Sequence, residues 1–103
     1  MRQFDVVPSP QADRGIAPYV LILQSDLLTD LDTRLAAPFL APDRFQPIRH
    51  LNPVFEFDQG SWMLATQMMA AVPVAELTGE VVASLASERD AVIRAVDFLL
   101  AGV

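Results

Sequence analysis

The sequence predicts a mainly β fold, a small barrel-like sheet of antiparallel strands followed by one C-terminal α-helix. All eight prolines lie in the first three quarters of the 103-residue chain, which they divide into short segments, and the last quarter has none. After Leu77 the apolar residues change to helical spacing. Because closing a small sheet removes exposed strand edges, a barrel suits a single domain over residues 1–103.

The first half of the chain contains four predicted strands and one loop. Residues 3–7 form a short strand, and residues 9–15, with Pro, Asp and Gly, form a loop. Residues 19–23 are aromatic and aliphatic without alternation, which is typical of a strand buried on both faces. Residues 34–40 and 45–51 are also predicted strands, and the proline in each favours an edge strand or a bulge.

The clearest local pattern is a hairpin over residues 53–65, in which two short strands are joined by Asp58-Gln59-Gly60. A three-residue loop that ends in glycine predicts a type I turn with a glycine bulge. A further apolar stretch, residues 68–74, contains a proline that limits its pairing.

The last quarter of the chain predicts an amphipathic helix. Ser87 is the expected N-cap, and Glu88 and Asp90 follow in the first turn, where the helix dipole favours acidic residues. The core side of the helix is formed by apolar residues at i, i+3, i+4 and i+7, namely Val92, Ala95, Val96 and Leu99.

The opposite face of this helix is polar. It carries Asp90, Arg94 and Asp97, and Asp90 is spaced to pair with Arg94. Ala101 follows Arg94 by seven residues and Asp97 by four, so we expect it on this polar face. Gly102 is the expected C-terminal stop of the helix.

Charge and composition restrict the partners of the protein. Seven arginines, no lysine and thirteen acidic residues give a net charge of −6. This negative field disfavours direct nucleic-acid binding and suits a basic peptide or protein, although solubility alone also explains it. The apolar share of 52% favours more apolar surface than one core can hide, and a homodimer interface is the simplest explanation.

The chain has no predicted membrane span or signal peptide. Its longest apolar runs are about eight residues long and contain proline, too short for a span. The N-terminus lacks an apolar signal region, and the absence of cysteine excludes disulfides, so we expect a cytoplasmic protein.

The residues offer no convergent catalytic set, and we expect no catalytic residues, metal or cofactor. His50 is the only histidine, and without cysteine it cannot form a usual zinc or nucleophile site. No phosphate-binding glycine motif is present. Asp30 and Asp32 have the spacing to hold a cation or act as acid and base, but a solvated loop is the simpler interpretation.

Two further groups have a structural and a functional interpretation. Trp62 with Phe55 and Phe57 suits a ligand platform, but on a hairpin such aromatic residues more often belong to the core. Three arginines suit a basic patch without a defined geometry, namely Arg34, Arg44 and Arg49.

Several segments, taken together and in order, resemble the CcdB family of bacterial toxins. They are Gln24-Ser25-Asp26-Leu27-Leu28 after an apolar strand, Arg34-Leu35 before Pro38 and Leu40, the block PVFEFDQGSWMLATQMMAAVPVAELTGEVVASL over residues 53–85, and the helix over residues 89–103. The resemblance implies an SH3-like barrel homodimer with a C-terminal helix, similar to the MazF/Kid-type ribonuclease toxins.

The resemblance also implies a function. A protein of this family is the toxin of a type II toxin–antitoxin system and is not itself an enzyme. It binds the DNA gyrase A subunit and traps the gyrase–DNA cleavage complex, and a CcdA-like antitoxin neutralises it. The gyrase-binding residues that the resemblance implies are Leu27, Leu28, Asp97, Leu100, Ala101, Gly102 and Val103.

The C-terminal tip departs from the family pattern. Where the family has Trp-Gly-Ile, this chain has Ala101, Gly102 and Val103, and Asp97 replaces an Asn. Loss of a tryptophan anchor costs about 2–4 kcal/mol of binding energy. One alternative therefore keeps the fold, dimer and antitoxin binding with weakened or altered gyrase poisoning. Another is a MazF-like ribonuclease, for which an acidic chain with one histidine is poorly equipped.

Overall fold

The computed structural model describes residues 1–10 and 15–102. Within these residues the chain forms seven strands and one α-helix. They are β1 (Asp5–Pro8), β2 (Tyr19–Ile22), β3 (Thr33–Leu40), β4 (Val54–Phe57), β5 (Gly60–Leu64), β6 (Ala70–Pro73), β7 (Ala83–Ser84) and α1 (Arg89–Ala101). Short 3-10 turns lie between them at Asp26–Leu28, Thr66–Met68, Val74–Glu76 and Ala86–Glu88.

The strands form an antiparallel sheet that closes nearly into a barrel, which confirms the predicted fold class. The strand order is β4-β5-β3-β2-β1-β7, and β6 pairs with β3. β3 is long enough to divide its edge between two partners: Ala36 pairs with Ala70 of β6, and Phe39 pairs with Leu64 of β5. This shared strand turns the sheet around the core.

The core lies inside the curved sheet and under α1. Its fully buried side chains come from distant parts of the chain and include Val6, Leu21, Phe39, Leu64 and Val92. Burial removes their apolar surface from water, which is the main favourable term in folding. Strands β1 to β5 and α1 therefore share this main cluster, while Val72 of β6 packs against a second, smaller cluster that includes Val20 and Ile22.

The predicted strands over residues 19–23 and 34–40 are confirmed as β2 and β3, with ends displaced by one residue. The predicted strand over residues 3–7 corresponds to β1, which begins only at Asp5. The reason is Phe4, whose positive φ of 68° is incompatible with an extended strand. The predicted loop over residues 9–15 lies partly outside the described residues, since 11–14 are not described.

The predicted strand over residues 45–51 is wrong, because this segment is irregular. Asn52, which is buried, ties it in a compact conformation. The Asn52 side chain accepts a hydrogen bond from the Ile48 amide at 3.0 Å and donates to the Leu64 carbonyl at 3.0 Å. These side-chain bonds take the place of the backbone hydrogen bonds to a neighbouring strand that a β-strand would need.

The predicted hairpin is confirmed as β4 and β5, but its predicted turn type is wrong. Phe57 pairs with Gly60, so only Asp58 and Gln59 form the loop. Both have positive φ, 47° and 59°, as a type I′ turn requires. The Tyr19 hydroxyl donates to the Asp58 carboxylate and holds the turn.

The C-terminal helix is confirmed, with one correction at its start. The expected N-cap Ser87 lies in the 3-10 turn that precedes α1, and α1 begins at Arg89 without a side-chain cap. Val92 and Ala95 are buried, as the helical spacing predicts. Gly102 has φ 74° and its amide donates to the Phe98 carbonyl, which confirms the predicted stop.

Candidate functional site

The C-terminal end of α1 is an exposed apolar tip. The Leu100 side chain is 72% exposed, and Ala101 and Gly102 are also exposed. Asp97, one turn earlier, is exposed as well, so Ala101 lies on the polar face as predicted. The expected contact residue Val103 lies outside the described residues. The polar-face pair does not form, since Asp90 and Arg94 make no ion pair.

His50 lies beside this tip, which the sequence did not indicate. Its ring centroid is 5.9 Å from that of Phe98, and His50 itself has a positive φ of 69°. The contact places the irregular segment before β4 against the last turns of α1. Sequence patterns do not reveal this contact, because Phe98 is far from His50 in the sequence.

The second expected contact lies on the loop between β2 and β3, residues 26–32, here called the leucine loop. The Leu27 side chain is 93% exposed, and Leu28 and Leu31 are each 51% exposed. Ser25 caps the turn at its start by accepting a hydrogen bond from the Leu27 amide at 3.1 Å. The loop thus presents three leucines to solvent, one more than the sequence predicted.

Carboxylates surround these leucines. Asp26, Asp30 and Asp32 are all exposed. The Asp26 carboxylate accepts a hydrogen bond from the backbone amide of Gln3 at 2.8 Å and lies 3.9 Å from the Arg2 guanidinium. The solvated-loop interpretation of Asp30 and Asp32 agrees with their exposure.

The leucine loop and the helix tip lie at opposite ends of α1. Gln3 contacts both Asp26 of the loop and Arg89, the first residue of α1, whose guanidinium is 3.4 Å from the Gln3 side-chain oxygen. Ala101 follows Arg89 by twelve positions, which corresponds to about 18 Å of helix. The two expected contact groups therefore lie apart within this chain.

The remaining candidate groups have structural roles. Phe55 and Phe57 are buried, and the Trp62 indole donates to the Phe57 carbonyl at 3.2 Å, so these aromatics belong to the core. The Tyr19 ring packs edge-on against Phe57 and Trp62. Its hydrogen bond to the Asp58 carboxylate raises the Tyr19 pKa above its ordinary value, as do burial and the Asp58 charge.

The Arg34 guanidinium donates to the backbone carbonyls of Thr29, Leu31 and Thr33. The basic patch of Arg34, Arg44 and Arg49 stays a prediction. Among residues 1–10 and 15–102, no group of three or more acidic or histidine side chains is arranged to hold a metal ion. In the same part of the chain, no helix has the length and apolar character to cross a membrane.

The sequence matches the family model described as CcdB protein over residues 3–102. The match includes the leucine loop and the helix tip through Gly102. A search of curated proteins finds no match.

Proposed function

This chain belongs to the CcdB family and is a toxin of a toxin–antitoxin system, and we propose that it acts by binding the DNA gyrase A subunit and trapping gyrase on cleaved DNA. The family match over residues 3–102 is the observation that carries this proposal. In this mechanism the toxin poisons another enzyme and needs no catalytic group of its own. A CcdA-like antitoxin neutralises it.

The proposed gyrase contact uses two exposed apolar surfaces. One is the leucine loop, including Leu27 and Leu28, and the other is the tip of α1 with Leu100, Ala101 and Gly102. Apolar side chains so exposed in a monomer commonly mark interaction sites. Their exposure supports a role in partner binding.

We further propose that the toxin acts as a homodimer in the cytoplasm. The loop and tip are separated by the length of α1 within one protomer, so a second copy is the simplest means of presenting both to one partner. The net charge of −6 favours protein partners over direct binding of nucleic acid.

A second candidate function follows from Ala101. The alanine offers the target only a methyl group where the family carries a tryptophan, so the tip lacks a large rigid anchor. In this candidate the protein keeps its dimer and antitoxin binding, while gyrase poisoning is weakened or altered.

Expression without antitoxin tests the proposal. We expect growth arrest with induction of DNA-damage signalling. Leu100→Glu should abolish the arrest, because it places a charge in the proposed contact. Val54→Glu, which changes an exposed valine on β4, is the matched control and should remain toxic. Normal growth at high soluble expression of the unmodified protein would contradict the proposal.

A further inference from the structure

We propose that Gln24 and Arg34 are positioning residues that hold the leucine loop in the conformation that binds its target. This inference rests on the proposed function, because it takes the gyrase A subunit as the partner of the loop. It extends that function to two half-buried side chains that hold the backbone of the loop, while the leucines themselves face solvent.

Gln24 joins the two ends of the loop. Its side-chain amide nitrogen donates to the Leu28 carbonyl at 2.9 Å and to the Thr33 carbonyl at 3.2 Å. Its side-chain oxygen accepts from the Leu35 amide at 3.1 Å. One side chain therefore links the 3-10 turn at the start of the loop to β3.

Arg34 holds the opposite side of the loop. One guanidinium nitrogen donates to the Leu31 carbonyl at 2.7 Å and to the Thr33 carbonyl at 3.0 Å, and the other donates to the Thr29 carbonyl at 3.1 Å. The planar guanidinium offers several donors in a fixed geometry, which suits three carbonyls at once. A lysine has a single nitrogen and cannot reproduce this arrangement.

These contacts explain how the leucines remain exposed. Carbonyl groups of the loop accept hydrogen bonds from Gln24 and Arg34, while Leu27 is 93% exposed. A loop that is ordered before binding loses less conformational entropy in the complex. The Gln24 and Arg34 contacts therefore favour rapid formation of a complex through the leucines.

The charge around the loop indicates the chemistry of its partner. Arg34 forms no ion pair with Asp30 or Asp32, so its positive charge is directed to carbonyls. The exposed carboxylates beside the leucines complement a partner surface that is apolar in its centre and basic at its rim. In the proposed function this surface belongs to the gyrase A subunit.

Two pairs of variants in the full-length protein test the inference. Gln24→Glu keeps the acceptor but removes both donors, and Gln59→Glu adds the same charge at the hairpin tip as a control. Arg34→Lys keeps the charge but loses the two guanidinium nitrogens that donate to the loop carbonyls. Arg44→Lys is its control. Hydrogen exchange of residues 26–33 and binding rates to a purified gyrase A fragment are measured for all four.

We expect each loop variant to exchange at least about tenfold faster over residues 26–33 and to associate about tenfold more slowly, because the ordered fraction that can bind falls to about a tenth. The dissociation rate should remain within about twofold, in contrast to Leu27→Ala, which removes a direct contact and should raise it. The controls should match the unmodified protein. A similar melting temperature shows that a slower association does not come from unfolding, and Arg34→Lys serves alone if Gln24→Glu does not fold.

The outcomes separate this inference from the proposed function. Unchanged exchange in both loop variants overturns the claim that the two side chains hold the loop. Faster exchange with unchanged association overturns the claim that this conformation matters for binding. If the unmodified protein does not bind the gyrase fragment, the proposed function and the docking role both fail, whereas exchange still decides whether Gln24 and Arg34 hold the loop.

Discussion

Replacing Ala101 by tryptophan should strengthen binding to the gyrase A subunit. Ala101 is the last residue of α1 and is exposed, so an indole there has room without disturbing the core. A tryptophan side chain buries about 150–250 Å² in an interface. At about 25 cal/mol per Å², full burial corresponds to about 4–6 kcal/mol.

Two effects reduce this figure. Ordering a side chain in an interface costs about 0.5–1.5 kcal/mol, and an indole at a helix end is only partly covered. The expected gain is therefore about 2–4 kcal/mol, which is also the size of a typical tryptophan hot spot. It corresponds to a Kd about 30- to 1000-fold lower. The folded state should change little, because Ala-to-Trp in an exposed helix costs at most about 0.7 kcal/mol.

Titration calorimetry with a purified gyrase A fragment measures this change. The control is Thr78→Trp, which adds the same side chain at another exposed position and should leave the Kd unchanged. An Ala101→Trp protein that folds normally and binds no more tightly than the unmodified protein would refute the reasoning that position 101 faces the target. Equal gains in affinity from Ala101→Trp and Thr78→Trp would show nonspecific hydrophobic binding instead.

Three further predictions concern stability. Val92→Ala deletes two methyl groups from a fully buried position, so the free energy of unfolding should fall by about 2 kcal/mol in thermal unfolding. An unchanged melting temperature would refute the packing of α1. Gly79→Ala places a methyl group against the rigid Pro8 ring, so the free energy of unfolding measured by chemical denaturation should fall by about 1–3 kcal/mol. An unchanged free energy of unfolding would contradict this close approach. The Tyr19 pKa is raised chiefly by its hydrogen bond to Asp58. Tyr19 therefore stabilises the fold at any pH below its ordinary pKa near 10, and this stabilisation is lost as the pH rises through the raised pKa. Tyr19→Phe should remove that alkaline loss in unfolding titrations, and an identical pH profile would count against the contact.

The sequence predicted elements whose signals are local. β2 follows from its unbroken apolar run, and α1 follows from helical spacing that ends at Gly102. The exposure of Ala101 also followed from helical spacing alone. These predictions succeeded because their signals lie in neighbouring residues: an unbroken apolar run for a strand buried on both faces, and helical spacing for α1.

The errors arose where distant contacts decide the local conformation. Residues 45–51 contain apolar side chains, yet Phe45 and Ile48 remain 44% and 52% exposed, and Asn52 donates a buried hydrogen bond to the Leu64 carbonyl. The hairpin turn depends on Asp58, whose partner Tyr19 is 39 residues away. Such pairs have no local periodicity.

The candidate site was predicted only in part for a related reason. Leu27 and Leu28 were identified from the family pattern, whereas Gln24 and Arg34 act on backbone carbonyls, which every residue carries. A sequence therefore gives no signal for the partners of such side chains. The position of the loop beside the start of α1 likewise involves a distant residue, Gln3, which contacts both Asp26 and Arg89.

A gyrase cleavage assay tests the proposed function most directly. Purified gyrase, supercoiled plasmid and ATP are incubated with the protein, and the reaction is stopped with detergent and protease, which releases trapped breaks as linear DNA. We predict that linear DNA accumulates with the unmodified protein and with Val54→Glu but not with Leu100→Glu. Folded, unmodified protein that yields no linear DNA at any concentration would contradict gyrase poisoning.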